Sequence, residues 1–174
     1  MASKIKVDTL ETVNGSGTIA LSNQLSGMTT ASLPALGSAQ MPSGSVLQVV
    51  QGTTTTLVES TASSWVATTL TATITPQFAS SDILVIVEQN LRATSGWAGF
   101  RLQRDTTTIK GRDYVMLTGG SVTNNIQIAY NQLDSPATTS ALTYNTDFMA
   151  TTASSAKTQD NSAQATMILM EIQG

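Results

Sequence analysis

The chain lacks the two side chains that most often carry chemistry in proteins, since none of its 174 residues is cysteine or histidine. Without cysteine, neither a disulfide framework nor a thiolate zinc site is possible. Without either residue, nucleophilic catalysis of the Ser/His or Cys/His type is excluded. We therefore expect a protein that is not an enzyme and that needs no metal or cofactor.

Charge is also scarce: Asp, Glu, Lys and Arg make up 11% of the chain, against roughly 25% in a typical soluble domain. The net charge of −3 and the pI of about 4.7 indicate no affinity for nucleic acid. No apolar run reaches the ~18 residues of a membrane helix, and no apolar segment of a secretory signal follows Lys4 and Lys6. We expect no membrane insertion and no signal peptide.

The local patterns of common enzyme sites are missing as well. No serine lies in a Gly-x-Ser-x-Gly turn, and the glycine-containing stretches lack the lysine of a phosphate-binding loop. The acidic residues stand singly, several of them beside turns, where aspartate commonly caps loops. No pair of them has a sequence reason to flank a cleft as glycosidase carboxylates do.

The composition divides the chain near Pro42. Residues 1–43 hold only short apolar pieces, and no charged residue occurs from Thr12 to Val58. Such a segment is too poor in large apolar side chains to form its own core, yet too uncharged to be a well-solvated tail. We predict an arm, residues 1–43, that becomes ordered on other subunits; a flexible leader is the alternative. Its docking contacts would be Ile5, Val7, Leu10, Ile19 and Leu21.

From residue 44 onward, short apolar runs with a period of two are separated by Ser, Thr, Gly and Asn clusters, which is typical of a sandwich or barrel. We predict an all-β fold for residues 44–174: an antiparallel, jelly-roll-like β-sandwich. The predicted strands are Val46–Gln51, Thr54–Glu59, Trp65–Thr68, Leu70–Pro76, Ile83–Leu91, Trp97–Arg104, Thr107–Lys110, Tyr114–Leu117, Asn125–Leu133, Leu142–Ala150 and Ala165–Ile172.

Alternation within three strands predicts which side chains face the core. Phe100 and Leu102 should point inward, while Arg101 points to the other face. Two further strands present apolar residues at every second position, and a ligand platform is the alternative to a core face there. Their predicted core residues are Tyr144, Thr146, Phe148, Ile126, Ile128 and Tyr130.

Two runs are apolar on both faces, Ile83–Val87 and Met167–Met170. One face of an antiparallel strand is usually solvated, so a second cover is required. It could be the arm or a neighbouring subunit. We predict a homotrimer with an interface that includes Leu84, Ile86, Met167 and Leu169.

An aromatic residue and a charge cluster have two readings each. Trp97, with Arg92 and Tyr114 nearby, could stack on a sugar ring, although a tryptophan at a strand start is more often a lid on the core. The mixed charges between Arg101 and Asp113 favour cross-strand pairs on a solvated face. A patch of salt bridges between subunits is the alternative.

Several segments resemble, in the same order, parts of tail-fibre and virion appendage proteins of marine and cyanobacterial phages. Each segment is only moderately specific, but together they are spread over most of the chain. They are Ser3–Gly15, Met41–Gln51, Ser81–Val85, Arg101–Asp105, Leu133–Thr139 and Ile168–Ile172.

This resemblance implies a structural protein located in the virion, with an N-terminal segment that docks on the particle and a trimeric sandwich that projects outward. The implied partners are copies of the chain itself and other virion proteins, either of the tail and portal adaptor or of the capsid. A host-surface glycan is a further possible partner. A head decoration or cement protein is the first alternative, and a carbohydrate-binding receptor module is the second.

Overall fold

The computed structural model describes residues 37–174, so the predicted docking positions of the arm lie outside the described residues. Strands dominate this part of the chain, with single 3-10 turns at Ser38–Gln40 and Asp160–Ser162. The predicted all-β, antiparallel fold is confirmed. The strands are β1 (Val46–Thr54), β2 (Val58–Ser60), β3 (Val66–Ile74), β4 (Asp82–Arg104), β5 (Thr107–Asp134), β6 (Leu142–Met149), β7 (Ser155–Thr158) and β8 (Ala165–Ile172).

A long hairpin formed by β4 and β5 is the central element of the fold. Its register runs from Arg104 opposite Thr107 to Ile83 opposite Asp134. The sequence predicts two strands in place of β4 and three in place of β5, because Ser/Gly clusters look like turns. The structure continues the pairing on both sides of these clusters, with three register shifts that act as bulges. At one of these shifts, residues 119–122 of β5 have no partner on β4.

The long strand β4 belongs to two sheets. Its first part pairs with β8, which pairs with β1. Its last part pairs with β6, which pairs with β3. β5 borders both parts of β4 on the other side. The result is a first sheet in the order β1-β8-β4-β5 and a second in the order β3-β6-β4-β5, continuous through the hairpin.

The two sheets meet again where β1 passes β3. A Cβ atom on Gly52 would lie 2.1 Å from the carbonyl oxygen of Thr71. Only glycine allows so close an approach of two backbones. Near the middle of β4, the short strand β7 pairs with both β4 and β2. Strand β7 was not predicted from the sequence.

Apolar side chains of both sheets fill one continuous core. Phe100, Tyr144 and Phe148 are fully buried, and so is Leu102. Ile128 is buried, and Ile126 and Tyr130 pack against the same cluster. The predicted core faces are confirmed, and Arg101 lies partly exposed on the opposite side. Each large apolar side chain buried in this way stabilises the fold by roughly 1.5–3 kcal/mol.

Candidate functional site

A line of apolar side chains crosses the outer surface of the first sheet. Val49 of β1 lies opposite Met170 of β8, Met170 lies opposite Leu84 of β4, and Leu84 lies opposite Leu133 of β5. Directly opposed residues of antiparallel strands project from the same face. The two outer members are the most exposed, Val49 at 57% and Leu133 at 53%.

A second pair extends this line. Ile168 lies opposite Ile86, and both side chains are partly exposed. We call the six residues the outer apolar face: Val49, Leu84, Ile86, Leu133, Ile168 and Met170. Contiguous apolar surface of this kind marks interaction sites more often than isolated apolar residues do.

The structure divides the predicted oligomer interface between two faces. Met167 and Leu169 are fully buried, because they lie opposite Val87 and Val85 on the core side. Leu84 and Ile86 project outward. A predicted interface that contained all four is therefore redrawn, with Ile168 and Met170 in place of Met167 and Leu169. The sequence could not show which side chains point to the core, since both the odd-numbered and the even-numbered residues of Met167–Met170 are apolar.

A cleft opens between the two ends of β5, where the sandwich is not closed by hydrogen bonds. Its volume is about 320 Å³. Lys110 and Arg112 lie opposite Leu102 and Phe100, so both cations project from the core side of the hairpin. We call this cleft between the two ends of β5 the hairpin cleft. It is lined by Lys110, Gly111, Arg112, Tyr114, Val115, Gln127, Ile128, Ala129 and Tyr130.

Local contacts hold the aromatic and basic groups of the hairpin cleft in place. The rings of Tyr130 and Phe100 meet edge to face at 5.5 Å. The Nζ atom of Lys110 lies 5.3 Å from the centre of the Tyr130 ring and donates to the carbonyl oxygen of Asn131 at 2.7 Å. Burial raises the pKa of Tyr130, and the positive charge of Arg112 offsets part of that increase.

The cations of the cleft differ from the others in the described residues. Arg92, Arg101, Arg104 and Lys157 each form an ion pair with a carboxylate, at 2.6–3.0 Å. Within residues 37–174, Lys110 and Arg112 are the cations without such a pair, and no carboxylate lines the cleft. The hairpin cleft was not predicted from the sequence, although Lys110, Arg112 and Tyr114 are spaced by two in a predicted hairpin.

The predicted sugar-binding group is brought together only in part. The rings of Trp97 and Tyr114 meet edge to face at 5.5 Å, and Tyr114 is 55% exposed. Arg92 instead bonds to Asp160 at 2.6 Å, beside β7. Trp97 is only partly exposed, and this partial exposure fits both interpretations of the residue, a cover on the core and a ligand contact.

The arginines of the predicted charge cluster pair with acids that lie outside the cluster. Arg101 bonds to Asp147, its direct neighbour on β6, at 2.6 Å. Arg104 bonds to Asp134 at the far end of β5. The predicted pairing within the cluster on a solvated face is therefore wrong for the described residues. Arg101–Asp147 joins direct cross-strand neighbours, Arg104–Asp134 does not, and both pairs are partly buried.

One carboxylate is fully buried. Glu171 accepts hydrogen bonds from the side chain of Gln48 at 2.6 Å and from the backbone N–H of Gln77 at 2.7 Å. The N–H of Phe78 adds a third at 3.3 Å. Burial by itself would raise the pKa of Glu171, but these donors together outweigh it and lower the pKa below its ordinary value. The group fastens the loop after β3 to the end of β8.

Within residues 37–174, no cluster of three potential metal-ligating side chains occurs. The helical turns of this same part of the chain are too short to cross a membrane.

No family model and no curated protein matches the chain. Two similar solved structures are those of infectious bursal disease virus. The Gt strain structure shares 14% identity and a TM-score of 0.40, over 82% of this chain and 43% of that chain. The Gx strain structure shares 15% and 0.37, over 80% and 42%. Dimeric latent PorU from Porphyromonas gingivalis shares 9% and 0.33, over 76% and 14%.

The chain thus spans less than half of the length of each of these solved chains. At such low identity and TM-score, the similarities carry no argument about what this chain binds or assembles with.

Proposed function

We propose that this chain is a structural, non-catalytic subunit of a virus particle, of the tail-fibre or appendage type, and that it forms a homotrimer through the outer apolar face. The carrying observation is the line from Val49 through Met170 and Leu84 to Leu133. A surface of this kind costs solubility unless a partner covers it. We take this partner to be another copy of the chain, because other copies are present wherever the protein assembles.

The resemblance to virion proteins supports an assembly role for the sheet that carries the outer apolar face. Met41–Gln51 leads into β1, Ser81–Val85 begins β4, and Ile168–Ile172 ends β8. These three strands are neighbours in the first sheet, in the order β1-β8-β4. Three of the six segments that resemble appendage proteins therefore contribute to the sheet that we assign to assembly. Residues 1–43 would dock the trimer on the particle.

Assembly is tested by placing one charge on the face. Val49→Glu and Leu133→Glu each bury a carboxylate in the proposed interface, and both positions are exposed in the single chain, so folding should be spared. Thr73→Glu is the matched control, since Thr73 is exposed on β3 of the second sheet. Analytical ultracentrifugation should show a trimer for the original chain and the control, and monomers for the two variants.

A stable monomer of the original chain at micromolar concentration would refute the trimer. Unchanged mass in both interface variants would refute the assigned face. Docking is tested separately: removal of residues 1–43 should abolish incorporation into particles. Imaging of labelled particles should place the subunit on the tail, whereas density over the head would favour the decoration protein.

A further inference from the structure

We propose that the hairpin cleft binds an acidic saccharide, with a carboxylate or sulfate group held between Lys110 and Arg112 and the sugar ring against Tyr114. This inference does not rest on the proposed particle role, because it requires only the β4–β5 hairpin of one chain. It shares Tyr114 with the sugar site predicted by sequence, but its cations are Lys110 and Arg112 in place of Arg92, and neither Arg92 nor Trp97 lines the cleft.

The two cations of the hairpin cleft differ from the other described cations in their pairing with acids. Four of the six cations in residues 37–174 are neutralised by carboxylates, and the other two line one cleft whose lining contains no carboxylate. Asp113 follows Arg112 in the chain and lines a shallow neighbouring depression with it, but the two form no ion pair. The guanidinium of Arg112 offers several N–H donors in one plane, a geometry that matches carboxylate and sulfate oxygens. A chain of net charge −3 thus presents a local positive site.

The shape of the cleft suits a small ligand. A volume of about 320 Å³ lies at the lower end of the range of small-molecule pockets. Ile128 and Val115 give it an apolar floor, and Gln127 contributes an amide that can both donate and accept. Tyr114 is 55% exposed while its ring packs at nearly a right angle against the ring of Trp97. An exposed, fixed aromatic ring is a surface on which the C–H groups of a pyranose can pack.

A purely structural explanation accounts for part of the site. Edge strands are often protected by inward-pointing charges, and the stem of Lys110 covers Tyr130 in that way. Lys110 already donates to the carbonyl of Asn131. This explanation does not require Arg112, which forms no ion pair with any described residue, nor a lining without carboxylates. Arg112 is therefore the residue that separates the two explanations.

The test uses the full chain and isothermal titration calorimetry. The probes are trigalacturonate and a heparin-derived sulfated disaccharide, with maltotriose as the neutral sugar, sodium sulfate as the bare anion and oligothymidylate as a nucleic acid. At least one acidic saccharide should bind, more weakly as salt is added, and maltotriose should not. Amide shifts in the NMR spectrum should be concentrated at residues 110–115 and 127–130.

Variants locate the binding. Arg112→Gln should weaken it about tenfold or more, equivalent to about 1.4 kcal/mol, and Tyr114→Ala should weaken it by a similar factor. Lys157→Gln is the matched control, because it removes one positive charge from a side chain that pairs with Glu59 and does not line the cleft. Its affinity should stay within about twofold.

Several results would overturn the proposal. They are the absence of binding by both acidic saccharides, sulfate alone binding as tightly as they do, tighter binding of oligothymidylate, or unchanged affinity in Arg112→Gln. The oligomeric state measured for the assembly proposal is independent of each of them.

Discussion

Arg104 and Asp134 are joined by an ion pair that closes the long hairpin on itself. The Nη1 atom of Arg104 lies 2.8 and 2.7 Å from the two carboxylate oxygens of Asp134. Arg104 ends β4 beside the hairpin turn, whereas Asp134 ends β5 at the opposite end of the ladder. The hydroxyl of Tyr144 donates to the same carboxylate at 2.7 Å. Burial, and then this bond to Asp134, raises the pKa of Tyr144.

Asp134→Asn should destabilise the fold by about 2 kcal/mol, because it leaves a partly buried guanidinium without a counter-charge. The side chains of Arg104 and Asp134 are 23% and 12% exposed, so we expect a larger loss in the free energy of unfolding than for an ion pair on the surface. Glu59→Gln is the control, since Glu59 is 46% exposed in its pair with Lys157, and such pairs contribute about 0–1 kcal/mol. Urea unfolding measures both. Equal losses would contradict a special role of the closing pair.

Stability should fall in acid through Glu171. Its pKa is lower in the folded chain than its ordinary value of 4.5, so the unfolded chain binds the proton more readily. The stabilisation is complete above the ordinary pKa and is lost as the pH falls through the folded value. Glu171→Gln should be less stable at neutral pH and should show a shallower decrease below about pH 5. Unfolding curves across this range check it, and an unchanged acid slope would assign the loss to other carboxylates.

Gly52→Ala should destabilise the sandwich by about 1–3 kcal/mol, because a methyl group there overpacks the crossing of β1 and β3. Gly119→Ala provides the comparison, since a Cβ at Gly119 would meet nothing within 4 Å. Thermal unfolding should show a lower Tm for Gly52→Ala only. Similar Tm values for the two variants would mean that the strands separate at little cost.

Leu169→Ala and Leu133→Ala compare the two faces of the first sheet with the same substitution. Leu169 is fully buried, and truncation there should cost about 2–5 kcal/mol by leaving a cavity. Leu133 is 53% exposed, so its truncation should change the free energy of unfolding by about 0.5 kcal/mol or less. The comparison is made at concentrations where both are monomers. A large loss at Leu133 alone would reverse the assignment of the faces.

Strand alternation allowed the core to be predicted where one parity is apolar and the other polar. Phe100 and Leu102 flank Arg101, so burial of one face follows from the side-chain period of two. The run Met167–Met170 has no such contrast, and its register with β4 decided which residues are buried. The bounds of β8 match the prediction, because turn-forming residues stand on both sides.

Other features depended on pairing between distant segments. Ser95 and Gly96 have positive φ angles of 51° and 116° and lie within β4. In the sequence they look like a turn, because turns and bulges require the same permissive residues. Likewise, nothing local pairs Arg104 with Asp134, and the hairpin cleft exists only because the two ends of β5 face each other.

The sequence by itself determined that the described chain is all-β, which side chains of its alternating strands are buried, and which catalytic chemistries its composition excludes. These follow from side-chain period and residue inventory, which are local properties. The tertiary structure decided the continuity of the β4–β5 hairpin, the ion pair between Arg104 and Asp134, the outer apolar face and the cleft with Lys110 and Arg112. Each of these depends on strand register, which only the packing of the whole sandwich selects.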